Sequence, residues 1–305
     1  MITSIFLGTP EASVAALQTT AAMTEIRLVV TRPDKPRGRS KQLIPSPVKE
    51  AATSLGLPIA QPVGRRDLLE VIASVGSVDV GVVVAFGMLL RPEVLSLPRK
   101  GFVNLHFSLL PRWRGAAPVE RAILAGDPTT GAPLMEINEG LDSGPIISSA
   151  TTQVDPSENS GELLERLTDI GTKLLGRDLD RYVHGRLLPV GQSGEGVTHA
   201  SKISTDEARL DLTESATVVA RKIRAFNPRP GAFAFLVGRR FKIWRASSGQ
   251  GVLLDPGEVR VEPQAVSLGV GDGILVLETV QAEGGRRMSG PEWARGARVA
   301  RAVLT

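Results

Sequence analysis

Residues 78–86, VDVGVVVAF, constrain the fold more than any other stretch of the chain. Apart from Asp79 they carry no polar side chain, so a strand built from them has no face suited to water. A strand that is apolar on both faces belongs inside a parallel sheet covered by helices on each side. The surrounding sequence agrees. Residues 4–7, 26–31, 101–106 and 132–137 read as further strands, and residues 11–23, 116–125 and 161–183 read as helices. Such alternation predicts an open α/β sheet with right-handed crossovers. Functional groups in such sheets lie beyond the C-terminal strand ends.

The pattern changes after residue 184. Residues 185–203 are rich in Gly, Ser, Pro and Gln and read as a linker running over the surface. Residues 215–225 then suit one helix. The segments 232–237, 240–245, 265–269 and 274–280 suit short strands separated by Gly-rich turns, as in a small barrel. The expected organisation is a first domain over residues 1–184, the linker, and a second domain over residues 204–305. Charge divides along the same line. Residues 1–203 hold 21 basic and 21 acidic side chains, whereas residues 204–305 hold 15 and 11, so the whole net charge of +4 falls in the second part. A basic appendage on a neutral domain suits a polyanionic partner, although a solvated basic surface has the same composition. Residues 31–49, TRPDKPRGRSKQLIPSPVK, concentrate four Pro and six Lys or Arg against one Asp. The prolines argue against a helix or a central strand and for a projecting, positively charged loop.

Several classes are excluded by what is missing. With no Cys there are no disulfides, no thiolate nucleophile and no Cys-bound zinc. The three His, at 106, 184 and 199, are too scattered to suggest a metal site. No apolar run approaches the length of a membrane span, and the first residues lack the marks of a signal peptide, so a cytoplasmic location is expected. GTP at residues 8–10 is not a dinucleotide fingerprint, and no P-loop, HExxH or GxSxG pattern occurs. GVGDG at residues 269–273 sits between two β-like segments and reads as a hairpin turn.

The chemistry concentrates in NLHFSLLPRWRG, residues 104–115. On a strand over 101–106, Asn104 and His106 share a face, with Cα atoms about 6–7 Å apart. An amide donor beside an imidazole can stabilise a developing negative charge and move a proton. Asp142, with Gly140 and Gly144 close on either side in NEGLDSGPI, is the candidate partner for His106. A carboxylate there favours the imidazolium. A structural His and a turn-forming Asp account for the same residues equally. If the three act together, none is a strong nucleophile, so they suit direct transfer of a group to an incoming amine. Trp113, between Arg112 and Arg114, suits core packing as well as stacking on a base or a ring.

The segments FLGTPE, RPDKPRGRSKQLIPSPVK, VVVAFG, NLHFSLLPRWRGAAP, EGLDSG and RAFNPRPGA resemble the methionyl-tRNA formyltransferases, in the same order and across nearly the whole chain. The Asn-x-His and Asp pattern alone is shared with other folate-dependent formyltransferases. The resemblance implies an α/β fold: a Rossmann-like, mostly parallel sheet domain followed by a small OB-like β-barrel domain. It implies transfer of a formyl group from 10-formyltetrahydrofolate to methionyl-initiator tRNA; a monomer is the default expectation, and the residues indicate no metal and no membrane partner. Carried onto this chain, the catalytic residues are Asn104, His106 and Asp142. The folate would lie along Ser108, Leu109, Leu110 and Pro111 and along Phe86, Gly87, Met88, Leu89 and Leu90. The tRNA-contacting insertion falls on residues 32–49, with Arg37, Arg39 and Lys41 as candidate contacts. The rival readings are a folate formyltransferase acting on a purine ribotide or an amino sugar, and a non-enzymatic RNA-binding module.

Overall fold

The computed structural model describes residues 1–36, 42–298 and 301–305, which gather into two compact units. Unit 1 comprises Met1–Gly115, Thr129–Gln153 and Leu164–Ala200, and unit 2 comprises Ala116–Pro128, Val154–Leu163 and Ser201–Thr305. Residues 116–128 and 154–163 thus cluster with the C-terminal residues, and residues 185–200, which composition marks as a linker, belong to unit 1.

Unit 1 is built on a seven-stranded sheet. Strands β1 (Thr3–Gly8), β2 (Glu25–Val30), β3 (Ile59–Ala60), β4 (Val80–Val84) and β5 (Phe102–Leu105) run parallel in the order β3-β2-β1-β4-β5. Strands β6 (Thr129–Glu136) and β7 (Ile146–Gln153) continue the sheet antiparallel beyond β5. The sheet is Rossmann-like and mostly parallel, as the apolar run requires: all five residues of β4 are buried. Gly81 lets the Phe102 ring lie across the sheet, since a Cβ there would meet it at 2.1 Å. The polar exception, Asp79, sits just before β4, where its carboxylate accepts from the Thr3 N–H at 2.9 Å and from Arg99 at 2.9 Å. One core layer joins Ile5, Leu7, Val30, Val83 and Phe102 of the sheet to Leu68 and Ile72 of the helix Arg65–Ala73. The helix Ser160–Val183 approaches β5 through Gly171, whose missing side chain makes room for Leu105.

The proline-rich segment departs from expectation at its end. Pro47 opens the helix Pro47–Ser54 from its first turn, where the absent N–H and the fixed φ cost nothing, and Ser46 caps it by accepting from the Lys49 N–H at 3.1 Å. Before it, Lys35–Pro36 pairs antiparallel with Leu43–Ile44.

In unit 2, strands Phe233–Leu236, Arg239–Ser248, Gly273–Ala282, Val266–Val270, Glu258–Val261 and Arg301–Val303 are neighbours in that order, every pair antiparallel. The first and last strands meet where Phe235 and Thr305 exchange N–H···O bonds of 2.7 and 2.9 Å, so the sheet is a nearly closed, OB-like barrel. Trp293, on the capped helix Gly290–Ala297, packs against Phe241 at 4.6 Å between ring centroids. GVGDG is the hairpin turn its context predicts, with Val270 opposite Gly273. Its Asp272 carboxylate also accepts from the Ala216 N–H at 2.7 Å, at the start of the helix Ala216–Ala225. Among the described residues, no helix is long and apolar enough to cross a membrane.

Candidate active site

His106 and Asp142 meet at the C-terminal end of β5, the strand that carries Asn104. Asn104 pairs in register with Val83, so residues 85–90 leave β4 beside the end of β5, where His106 follows the strand. The His106 N–H donates to the Pro133 carbonyl of β6 at 3.1 Å, and the side chain is 6% exposed. Its Nε2 lies 3.0 Å from the Trp113 carbonyl oxygen. A carbonyl only accepts, so Nε2 carries the proton and, in the neutral ring, Nδ1 presents a lone pair. That Nδ1 lies 3.8 Å from Asp142 Oδ2, near enough for the carboxylate to attract the protonated ring and too far for a direct hydrogen bond.

Opposing effects act on the His106 charge. Burial holds the His106 imidazole below its ordinary 6.5, and this outweighs Asp142 and the Trp113 carbonyl, which both favour the cation. Burial thus favours the neutral ring. Asp142 is partly exposed, and its Oδ2 accepts from the Gly115 N–H at 2.8 Å. The Asn104 carboxamide is half-buried and makes no hydrogen bond among the described residues, which leaves its N–H₂ available to a ligand.

Backbone conformation marks the same place. Five non-glycine residues adopt positive φ among the described ones, and three of them are Ala85, Trp113 and Asp142. Such outliers cost about 1–3 kcal/mol each and persist where the surroundings over-determine them. Gly115, with φ of 126°, is required for another reason: a Cβ there would lie 2.6 Å from the Ala200 carbonyl oxygen.

The candidate folate segments frame this group. Ser108 is fully buried and its hydroxyl donates to the Arg112 carbonyl at 2.7 Å, so it braces the turn over residues 108–112. Leu109, Leu110 and Pro111 are the partly exposed members of that segment. In the other segment Phe86 is buried, Met88 and Leu90 rest against the core, and Gly87 and Leu89 are exposed. The base of the basic insertion is tied down through Asp34, whose carboxylate takes Lys49 Nζ at 2.6 Å and Gln61 Nε2 at 2.7 Å. Arg37, Arg39 and Lys41 lie outside the described residues.

Sequence reasoning missed Gln192. Its Nε2 donates to the carbonyls of Asp142 and Gly144 at 2.9 and 2.8 Å, and its Oε1 accepts from Arg114 Nε and Nη2 at 3.1 and 2.7 Å. No motif announces it, because a single Gln in a Gly-rich stretch carries no pattern. The Trp113 carbonyl and the Gly115 N–H were equally invisible, being backbone groups.

An open, mostly parallel sheet carrying this Asn, His and Asp set at its strand ends, joined to a basic barrel, defines the class, and the chain belongs to the formyltransferase family: the formyl transferase domain matches residues 5–179 and the formyl transferase C-terminal domain residues 202–298. Its curated relatives narrow this to the methionyl-tRNA formyltransferases. The chain is 44% identical to the methionyl-tRNA formyltransferase of Neisseria meningitidis serogroup C over 96% of both chains. It is 43% identical to that of Streptomyces coelicolor over 97% of this chain and 96% of the relative. Among solved structures, the fold is shared with HypX from Aquifex aeolicus in complex with tetrahydrofolic acid (TM-score 0.68, 17% identity, 95% of this chain and 46% of that one). It is shared too with the methionyl-tRNA formyltransferase from Clostridium thermocellum (TM-score 0.57, 15% identity, 83% and 96%).

Proposed function

We propose that this protein transfers the formyl group of 10-formyltetrahydrofolate to the α-amine of methionyl-initiator tRNA, readying that tRNA for translation initiation. It works as a cytoplasmic monomer. One observation carries the reading: the His106 Nδ1 and Asp142 Oδ2 pair at 3.8 Å, beside an unengaged Asn104 carboxamide, in a chain 44% identical to methionyl-tRNA formyltransferases. Unit 1 is the catalytic part, and the basic barrel with the 32–49 insertion serves the tRNA.

The site suits an attack by an amine on a formyl carbon. Asn104 presents an N–H₂ donor to the formyl oxygen as negative charge gathers there, the kind of contact whose loss costs about 10²–10³ in kcat. His106 rests neutral, and its Nδ1 is free to accept the proton that the attacking amine must lose. Once formed, the imidazolium is stabilised by Asp142 and by the Trp113 carbonyl, the two groups that already oppose the effect of burial, and it can give its proton to the folate nitrogen as the bond from that nitrogen to the formyl carbon breaks, releasing tetrahydrofolate and restoring the neutral ring. When bound, 10-formyltetrahydrofolate supplies the activated formyl group. The exposed residues Gly87 and Leu89 and the partly exposed apolar Leu109, Leu110 and Pro111 fit a flat, partly polar ring with an apolar extension.

Residues 204–305 carry the whole net charge of +4, which suits an RNA backbone. On the barrel, Arg287 and Lys242 lie over the Trp244 ring at 3.5 and 5.0 Å, and Arg240 lies over Phe233 at 4.6 Å. The test offers three amines in parallel, each with 10-formyltetrahydrofolate: charged initiator tRNA, glycinamide ribotide and an amino sugar. Formylation of the tRNA alone is expected. Turnover of either small amine at a comparable kcat/KM would assign the chain to another acceptor.

A further inference from the structure

Residues 190–200 act as a splint across the two loops that carry the site. At one end, Ile146 and Val190 exchange N–H···O bonds of 2.8 and 2.9 Å, just beyond the Asp142 loop. At the other, the Trp113 N–H donates to Thr198 Oγ1 at 2.9 Å and the Arg114 N–H to the Thr198 carbonyl at 2.9 Å, while His199–Ala200 pairs with Arg114–Gly115. Gln192 lies between these anchors and touches both loops. Its amide N–H₂ serves two carbonyls and its oxygen serves a guanidinium, so every contact is chemically matched and the orientation of the amide is fixed. The loops it joins present the Trp113 carbonyl, which sets the His106 tautomer, and Asp142, which faces His106 Nδ1.

We infer that Gln192 is a positioning residue for the formyl transfer, holding Asp142 and the Trp113–Gly115 segment in register around His106. It does so without touching a reacting atom. The inference rests on the reading of His106 and Asp142 given above. Both Trp113 and Asp142 sit at positive φ, at 62° and 45°, a conformation that needs outside support, and the Gln192 amide supplies part of it at the Asp142 and Gly144 carbonyls. The effect belongs on the chemical step, because Gln192 orders groups around a proton acceptor and binds neither substrate.

The test uses Gln192→Met, which keeps length and removes every hydrogen bond, and Gln192→Glu, which keeps the Arg114 partner and cannot donate to both carbonyls. Both are expected to lower kcat by about tenfold or more, the scale of a small misplacement near the reacting centre, with both KM values within about twofold of wild type. In an Asp142→Asn background the further loss from Gln192→Met should largely vanish, since the two substitutions disable one unit. An undiminished loss in that background overturns the inference, as does a kcat within about twofold of wild type in Gln192→Glu. A second readout needs no turnover: with three His in the chain, the His106 imidazole is followed by NMR titration. Its midpoint should move by about half a unit or more in Gln192→Met, and an unmoved midpoint contradicts the positioning role. Should wild type formylate another amine, the acceptor assignment fails while this titration still decides the role of Gln192.

Discussion

His106 shows how one side chain can be charged in principle and neutral at rest. Burial pushes its pKa below 6.5, while Asp142 and the Trp113 carbonyl pull the other way and lose. The unfolded chain therefore binds a proton that the folded chain refuses. Stability falls as pH drops from about 6.5 toward the folded value and is untouched by this group well above 6.5. Melting temperatures of wild type and His106→Gln, followed from about pH 8 down to about pH 5.5, should converge as the pH falls or cross in favour of the variant. Parallel curves would mean that folding leaves the His106 pKa unchanged, and a wild-type advantage that grows as the pH falls would mean that His106 is charged in the fold. Asn104, in the proposed mechanism, acts on the chemical step. Asn104→Ala should lower kcat by about 10²–10³ with little change in either KM, and a change confined to KM would make it a ground-state contact. The Asn and His were legible because polar residues two apart end an otherwise apolar strand. The downward pull of burial on His106 was not, because sequence shows the neighbouring carboxylate and conceals the depth of burial.

Among the elements, legibility followed pattern. Strand β4 could be read outright, since five buried residues in a row have no other home. Strand β7, IISSATTQ, escaped notice because alternate residues face outward at the sheet edge and their small polar side chains resemble a loop. The splint over residues 190–200 was hidden for a different reason: main-chain pairing, the Thr198 hydroxyl and one Gln hold it, and none leaves a periodic trace. The Asp142 loop shows what its glycines do separately. A Cβ at Gly144 would sit 1.9 Å from the Glu136 carbonyl oxygen, whereas at Gly140 it would meet the movable Ser143 hydroxyl. Gly144→Ala should thus cost about 1–3 kcal/mol in urea denaturation and lower kcat. Gly140→Ala should stay within about 0.5 kcal/mol. Equal costs at the two positions would show that the loop yields at Gly144 and that its backbone is not what holds Asp142.

At the scale of the whole molecule, charge and chemistry are carried by different stretches of chain. The positive excess lies in residues 204–305, and the groups proposed to move the proton lie in residues 104–142. The two should respond to different variables: raising salt should increase KM for tRNA steeply and leave KM for the folate nearly constant, and a folate KM that rises in step would contradict that division. Composition exposed the charge asymmetry directly. It did not show that residues 116–128 and 154–163 cluster with the barrel, because contact with a distant segment leaves no mark on local sequence. The most direct measurement is single-turnover transfer of a labelled formyl group to charged initiator tRNA by His106→Gln, with the affinities for tRNA and folate measured alongside. The transfer rate is expected to fall by about 10²–10⁴ while both affinities stay within about twofold. A rate close to wild type would remove the imidazole from the reaction and, with it, the mechanism built on its pairing with Asp142.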